Sequence, residues 1–362
     1  METKSKKIAF CITCMNRLNH LQQTLEKNIQ DNYLPDEVEF VLLDYNSQDG
    51  LEEWVRQNMQ QHINSGILVY YKTFEPAHYL RSHSRNMAFR LANAKIVCNL
   101  DADNFLGEGF ALFMIAEFEK NESIFYTSNC LNRDIYGRVC VKKEDFTKIK
   151  GYNEALQGYG IEDVDLFVRL EQKGLVHKQF NDSNFYHCLR HSNEERVKEE
   201  LLAKNTEKIY ICYINPYTSG ILFLHKDFTF LQYTLIDNRQ LNLYAGFTES
   251  DDIYFNEKRE IVLGKDFQKG TWEKNNDKIT LVRDNHTAIF SDEEISFLYQ
   301  NRTCYAIQDK ELQNEIIMLS TTVINYRQVQ QQRKQQQCVN QQGFGKGSVF
   351  KNFQTNKAIV LS

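Results

Sequence analysis

No stretch of this 362-residue chain approaches the roughly 18 apolar residues that a membrane-spanning helix needs. The first residues, Met1 to Lys7, are charged and polar, and the apolar run behind them is too short for a signal core. A basic surface is missing too. Lys and Arg number 43 against 48 Asp and Glu, giving a net charge of −5, and the only basic patch is a short Gln-rich one late in the chain. That balance excludes sequence-independent binding to nucleic acid as the expected role. The nine cysteines follow no regular spacing, and Cys11, Cys98 and Cys212 sit inside apolar runs. The expectation is reduced thiols in a cytoplasmic protein with no disulfide framework. These absences exclude a membrane span and remain compatible with peripheral association. What remains is an ordinary globular composition, 42% hydrophobic and 25% charged, with length enough for two domains.

Along residues 1–210, strand-like and helix-like patterns alternate. Residues 8–13, 38–43, 67–71 and 96–100 are short, β-branched apolar runs that read as buried strands. Between them, residues 18–29, 51–63 and 79–94 carry apolar residues at helical spacing, as with Leu18, Leu21, Leu25 and Ile29. Repeated strand–helix units predict an α/β fold, Rossmann-like, with a mainly parallel sheet and flanking helices. From residue 211 to 362 the pattern changes to short apolar runs at 221–224, 228–235, 241–245, 253–255, 279–282 and 288–290. Residues 271–273 and 279–282, flanking Asn275-Asn276-Asp277, read as a hairpin. A smaller β-rich accessory domain is expected there, and the Gln-rich residues 328–342 read as a polar helix or linker.

The chemistry concentrates in two acidic clusters. Asp101-Ala102-Asp103 directly follows the apolar run at 96–100, which puts both carboxylates beyond the carboxyl end of a strand, where open α/β sheets bind ligands. Hard oxygen donors at that edge suit Mn²⁺ or Mg²⁺, which in turn can hold a diphosphate. In Gly158-Tyr159-Gly160-Ile161-Glu162-Asp163-Val164-Asp165, a glycine-flanked turn opens a helix with three carboxylates. Adjacent acids on a helix turn point in different directions, so Glu162 and Asp163 can hold different roles. A partly buried carboxylate beside another acid has its pKa raised and serves as a general base. The plain alternative is three acids that merely favour a helix N-terminus.

Four segments in order carry a family resemblance. Met15-Asn16-Arg17-Leu18-Asn19-His20-Leu21 resembles the first-strand turn of the β-1,4-galactosyltransferase family. Ser84-Arg85-Asn86-Met87-Ala88 resembles the segment ahead of the metal motif in that family and its bacterial inverting relatives. Gly151-Tyr152-Asn153 with residues 158–170 is similar to the acceptor and catalytic-base segment, and Arg190-His191-Ser192 to the late metal-binding histidine. Asp44, with Asn46, Ser47 and Asp49 beyond it, resembles the acidic nucleotide segment of inverting family-two glycosyltransferases.

The resemblance covers about residues 8–210 and stops before the β-rich part. It implies a GT-A fold, a nucleotide-sugar donor, a glycan, glycoprotein or glycolipid hydroxyl as acceptor, and a divalent metal. It implies Asp163 as base, Glu162 as the residue that orients the acceptor, and Tyr159 and Gly160 against the sugar. Thr13, Asn16, Arg17, Asp44, Asn46, Arg85, Asp101 and Ala102 form the implied nucleotide-sugar set. Asp103 and His191 are the implied metal ligands, joined by His187 or Cys188. In an extended segment His187 and His191 share a face while Cys188 points away, so the residues alone leave that choice open.

Two rival readings follow from the same residues. A sugar nucleotidyltransferase would carry a Gly-rich basic loop after the first strand, and Thr13-Cys14-Met15-Asn16-Arg17 is not one. An inert glycan-binding scaffold would have no need of Asp103, Glu162 and Asp163. Three look-alikes carry no weight. Cys11-Ile12-Thr13-Cys14 runs along a strand, Gly343-Phe344-Gly345-Lys346-Gly347 lacks the phosphate-loop arrangement and reads as a flexible turn, and Glu75, His78 and His83 match no metal spacing.

Overall fold

The computed structural model describes residues 5–129, 133–215, 218–237, 261–263, 268–283 and 286–362. The runs at 241–245 and 253–255 lie outside the described residues. Two compact units emerge, residues 1–191 with 328–362, and residues 192–327.

Strand β1 (Lys6–Cys14) shows how the sequence builds the first unit. Ile8, Phe10, Ile12 and Cys14 enter one apolar cluster while Ala9 and Cys11 enter another, the period-two alternation of a strand buried on both faces. β2 (Val38–Tyr45), β3 (Leu68–Thr73) and β4 (Ala94–Asn99) join it in parallel register, in the order β3-β2-β1-β4. Helices α1 (Leu18–Asp31) and α2 (Leu51–Asn58), with the short α3 (Gln60–Asn64), follow β1 and β2. The predicted helix at 51–63 is thus two pieces, broken at Met59. α4 (Arg81–Leu91) packs Met87, Ala88 and Phe89 on the opposite face of the sheet.

Beyond β4 the sheet becomes mixed. β5 (Asn104–Phe105) leaves it, α5 (Phe110–Lys120) covers the face shared with α1, and β6 (Ile124–Ser128) and β7 (Val139–Lys142) extend the sheet. β7 is antiparallel to both β4 and β6. After α6 (Lys143–Lys148) and α7 (Glu162–Gln172), β8 (Val176–Phe180) closes that edge parallel to β6, and β9 (His187–Cys188) pairs with β5. The order reverses between β1 and β4, so the crevice beyond their carboxyl ends is the ligand site such sheets provide. The first unit is a Rossmann-like α/β domain, its sheet parallel through β1 to β4 and mixed beyond them.

Two expectations need correction. The β-rich region does not run from 211 to the last residue. Strands Gly347–Lys351 and Ala358–Leu361 return to the first sheet, the former antiparallel to β3. Val349 there is fully buried in the first unit's core, which is why a run that reads locally as a loose turn is held. The helix Lys310–Lys334 leads into that return. At the other end, helices Asn193–Val197 and Leu201–Asn205 fall in the second unit, so the division at 210 moves back to 191.

The second unit is an antiparallel, near-barrel sheet that starts at Thr206–Asn215 and ends at Arg302–Ala306. Its predicted hairpin is present, with Gln268–Asn275 paired to Lys278–Arg283. Tyr210, Leu222, Phe230, Trp272, Leu281, Phe290 and Phe297 fill its interior. The second correction concerns thiols. Cys212 and Cys304 lie directly opposite each other on neighbouring antiparallel strands and form a disulfide, contrary to the expectation of reduced thiols. Among the described residues, no helix is long and apolar enough to cross a membrane.

Candidate active site

The loops after β1 and β2 form one clipped shelf. Asn16 and Asn46 both adopt left-handed backbone, φ +55° and +62°, a conformation asparagine tolerates better than most residues. The Asn16 backbone N–H donates to Ser47 Oγ at 3.1 Å, Gln48 N–H donates to Asn16 Oδ1 at 2.7 Å, and Leu18 N–H donates to Asp49 Oδ2 at 2.8 Å. Asn46 Nδ2 reaches Pro76 O at 2.8 Å. Arg17 stands at the mouth of α1, half-buried. Thr13, at the end of β1, lies 2.7 Å from the Tyr79 hydroxyl.

Asp44 is turned inward. Its fully buried carboxylate accepts from Ser47 N–H at 2.7 Å and the Tyr70 hydroxyl at 2.7 Å, with Lys72 Nζ at 3.4 Å. Burial raises its pKa from the usual range while these donors pull it back. Its visible work is to hold the shelf.

The centre of the site is Arg85, 2% exposed, on α4. Its guanidinium reaches acids from two other elements, Asp163 Oδ1 at 2.9 Å and Glu162 Oε1 at 3.3 Å on α7, and Asp101 Oδ1 at 3.2 Å beyond β4. Asn99 Nδ2 also donates to Asp101 Oδ1, at 3.0 Å. Burial works against the Asp101 charge, but Arg85 and Asn99 outweigh it and hold that carboxyl below the ordinary value. Asp163 goes the other way. Burial, with Glu162 and Asp101 nearby, outweighs Arg85 and pushes it up to about 7. One strand-end acid stays ionised while the helix acid is poised near neutrality, the separation of roles that acid–base sites use. Asp165 takes no part and instead braces α7 through Arg169 Nε at 2.8 Å.

The turn into α7 is strained. Ile161, the residue before Glu162, has φ +79°, an outlier for a β-branched side chain. Such strain persists only where the surroundings over-determine it, and here it sets the direction in which Glu162 and Asp163 enter the helix. Tyr159, half-buried between Gly158 and Gly160, lies under Arg81, whose guanidinium is 5.3 Å from the ring centroid.

The expected metal residues converge only in part. His191 Nε2 lies 2.6 Å from Asp103 Oδ2, with both side chains mostly buried. Leu189 N–H donates to Asp103 O at 2.8 Å, which ties this late segment to the acidic loop. His187 is exposed and Cys188 half-buried on β9, and among the described residues no three His, Cys, Asp or Glu groups gather as a metal cluster. Ala102 contributes its carbonyl to Thr24 on α1, at 2.7 Å.

Several site residues escaped the sequence reading. Arg81 lies one helical turn before Arg85 and 3.5 Å from Glu162 Oε1, and its spacing of four was the available signal. Tyr79 caps Thr13, and His20 on α1 packs edge-on to His191 with centroids 5.6 Å apart. Gly137 passes so close that a Cβ there would lie 2.9 Å from Arg85 Nη2 and 3.2 Å from Asp163 Oδ2. Nothing in the local sequence marks that approach.

Residues 133–192, which hold Tyr152, Glu162, Asp163 and His191, match a family model described as the N-terminal domain of galactosyltransferase. That likeness to a galactosyltransferase domain covers this segment of the chain, the one that carries the acids of α7 and the late histidine. No curated protein matches the chain. Among solved structures, a mannosyltransferase from Pyrobaculum calidifontis in complex with GDP-Man and Mn²⁺ is similar at 19% identity and TM-score 0.41, over 50% of this chain and 56% of that one. S. aureus TarS (residues 1–349) in complex with UDP-GlcNAc is 12% identical at TM-score 0.38, over 52% and 63%. The catalytic domain of Drosophila β1,4-galactosyltransferase 7 in complex with xylobiose is 15% identical at TM-score 0.36, over 54% and 75%. The first two share less than two thirds of their own length with this chain. At such identity these likenesses are no guide to donor, metal or acceptor.

Proposed function

We propose that this protein is a metal-dependent inverting glycosyltransferase that moves a hexose or N-acetylhexosamine from a UDP sugar to a hydroxyl of a glycan, glycoprotein or glycolipid. The observation that carries the reading is Asp163, a buried carboxyl at the start of α7, bound to Arg85 and pushed up to about 7. A base with that pKa is ionised often enough to act and basic enough to take a proton from a hydroxyl in the transition state.

In this reading the acceptor oxygen attacks the anomeric carbon on the face opposite the diphosphate. Its proton passes to Asp163 Oδ2, since Oδ1 is engaged by Arg85. The bond from the anomeric carbon to the phosphate oxygen breaks, and its electron pair leaves with the diphosphate. Glu162, held between Arg81 and Arg85, orients the acceptor, and Tyr159 offers an aromatic face to the sugar. The shelf of Thr13, Asn16, Arg17 and Asn46 receives the nucleotide, and Asp44 holds that shelf from below.

Asp103 and His191 would hold Mn²⁺ or Mg²⁺. One carboxylate and one imidazole, already side by side, suit such an ion, and His187 or Cys188 would be the further protein ligand. When bound, the ion neutralises charge on the departing diphosphate.

A panel of nucleotide sugars, each with Mn²⁺, Mg²⁺ or chelator, tests the reading. One UDP sugar should raise the melting temperature and be slowly hydrolysed, both only with metal; at about 100 times Kd a ligand adds about 2.7 kcal/mol of stability. A chain indifferent to every UDP sugar, or active in chelator, overturns the proposal.

A further inference from the structure

Residues 338–362 grip the first unit on both sides of the candidate site. On one side, Asn340 Nδ2 donates to Lys150 O at 2.7 Å and Tyr152 O at 2.6 Å, while Asn340 Oδ1 accepts from Glu154 N–H at 3.1 Å. Gly345 N–H donates to Glu154 Oε1 at 2.6 Å, and Asn86 Nδ2 donates to the same oxygen at 2.8 Å. Arg90 Nη1 donates to Phe344 O at 2.6 Å. His83 Nε2 lies 2.8 Å from Lys346 O, and since a carbonyl only accepts, that nitrogen carries the hydrogen and Nδ1 accepts from the Tyr45 hydroxyl at 2.6 Å. On the other side, Phe353 stacks on Tyr70 at 4.9 Å, and the Tyr70 hydroxyl holds Asp44.

The contacts on the first side fall on α4, which carries Arg85, and on the loop at 150–154 beside it. Asn86, next to Arg85 in sequence, clasps Tyr152 through both Tyr152 N–H, at 2.8 Å, and Tyr152 O, at 2.9 Å. The Tyr152 ring in turn lies 5.4 Å from the Arg85 guanidinium. Gly345 sits flush against this junction. Its φ is +56°, and a Cβ there would come within 2.8 Å of Asn86 C and Met87 N. A segment that merely covered a sheet edge would have no need to contact the backbone of α4 this closely. We propose that residues 338–362 are a positioning strap, which fixes α4 against the loop at 150–154 and thereby sets the distance of Arg85 from Asp163. The catalytic meaning of that distance rests on the transferase reading; the strap itself does not.

Two full-length variants test it. Gly345→Val drives a branched side chain into α4, and Asn340→Gly removes three hydrogen bonds while allowing the φ of +48° found there. The first readout is hydrogen exchange in residues 81–91 and 150–156, with 218–225 of the second unit as reference. The second is the titration of Asp163 by carboxyl ¹³C NMR, assigned through its absence in Asp163→Asn. Asp163 faces Arg85 and Arg81 from α4, Glu162 from its own helix, Asp101 from beyond β4 and Tyr152 from the loop. Loosening the strap frees the loop that carries Tyr152 and, through the Asn86 clasp, the α4 pair, so exchange in both segments should quicken and the Asp163 midpoint should rise by about half a unit or more, as an arginine withdraws. A wild-type midpoint in the folded variants overturns the proposal, even if exchange quickens, because the segment is then only a buttress. Should Gly345→Val fail to fold, Asn340→Gly decides alone. Neither readout uses turnover, so a protein that transfers no sugar defeats the functional reading and leaves this test intact.

Discussion

Replacing Arg85 with glutamine removes a charge that touches Asp163, Asp101 and Glu162 together, at 2.9, 3.2 and 3.3 Å. Breaking a buried ionic cluster by deleting one partner costs about 3–5 kcal/mol. At about 2–4 °C per kcal/mol for units of this size, Arg85→Gln should melt roughly 6–20 °C below wild type. The effect on Asp163 follows from charge. At an effective dielectric of about 20, a unit charge some 4 Å away is worth about 4 kcal/mol, or about three pKa units before relaxation. Even a third of that moves the Asp163 midpoint from about 7 to about 8. Wild-type kcat/KM should therefore rise with pH through about 7, while the Arg85→Gln limb should sit at least about one unit higher. Assayed at pH 7, the variant loses about fivefold or more by protonation alone, and recovers that part at pH 9. The stability sign is opposite. The folded-state pKa of Asp163 is raised, so its protonated form favours folding, and that contribution is lost as pH climbs from the ordinary aspartate value through about 7. A variant whose pH limb coincides with wild type refutes the argument, because Arg85 would then not act on the base.

Asp103→Ala and His191→Ala should each weaken Mn²⁺-dependent UDP binding about tenfold or more in calorimetry, with circular dichroism unchanged. Undiminished affinity in both would remove the metal assignment. Cys212→Ser should cost the second unit about 2–5 kcal/mol in denaturant unfolding, since the disulfide closes a separation of 92 residues. Reductant should reproduce that loss in wild type and add nothing in the variant; a wild type indifferent to reductant would contradict the bridge.

How much of this was legible in the sequence depended on range. Strands β1, β2, β3 and β4 announced themselves because each is buried, so its apolar run is nearly unbroken. Asp101 and Asp163 were recognisable because a strand end and a helix start define where a carboxylate can stand. That Arg85 joins them depends on the phase of α4 against α7, 77 and 78 residues away along the chain, which no local pattern encodes. The return of residues 347–361 to β3 was invisible for the same reason. An alternating run states that it is a strand but not which edge receives it. The Cys212–Cys304 pair needed the register of two strands, and the strain at Ile161 contradicts local propensity outright. His187 and Cys188, either of which was expected as a further metal ligand, are placed by the pairing of β9 with β5, a partner that no local pattern names.

The central claim is that Asp163 takes the acceptor's proton in a single displacement. Asp163→Asn changes an oxygen to an amide of nearly the same size, so donor and Mn²⁺ binding should stay within about twofold of wild type. Sugar transfer should fall by about 10²–10⁴, the usual worth of general-base assistance. The variant should also lose the pH limb near 7. The decisive measurement is single-turnover transfer by wild type and Asp163→Asn with saturating donor, metal and acceptor, with the product anomer read by NMR. The account predicts an inverted anomer and that loss of rate; near-normal transfer by the variant, or a retained anomer, contradicts it.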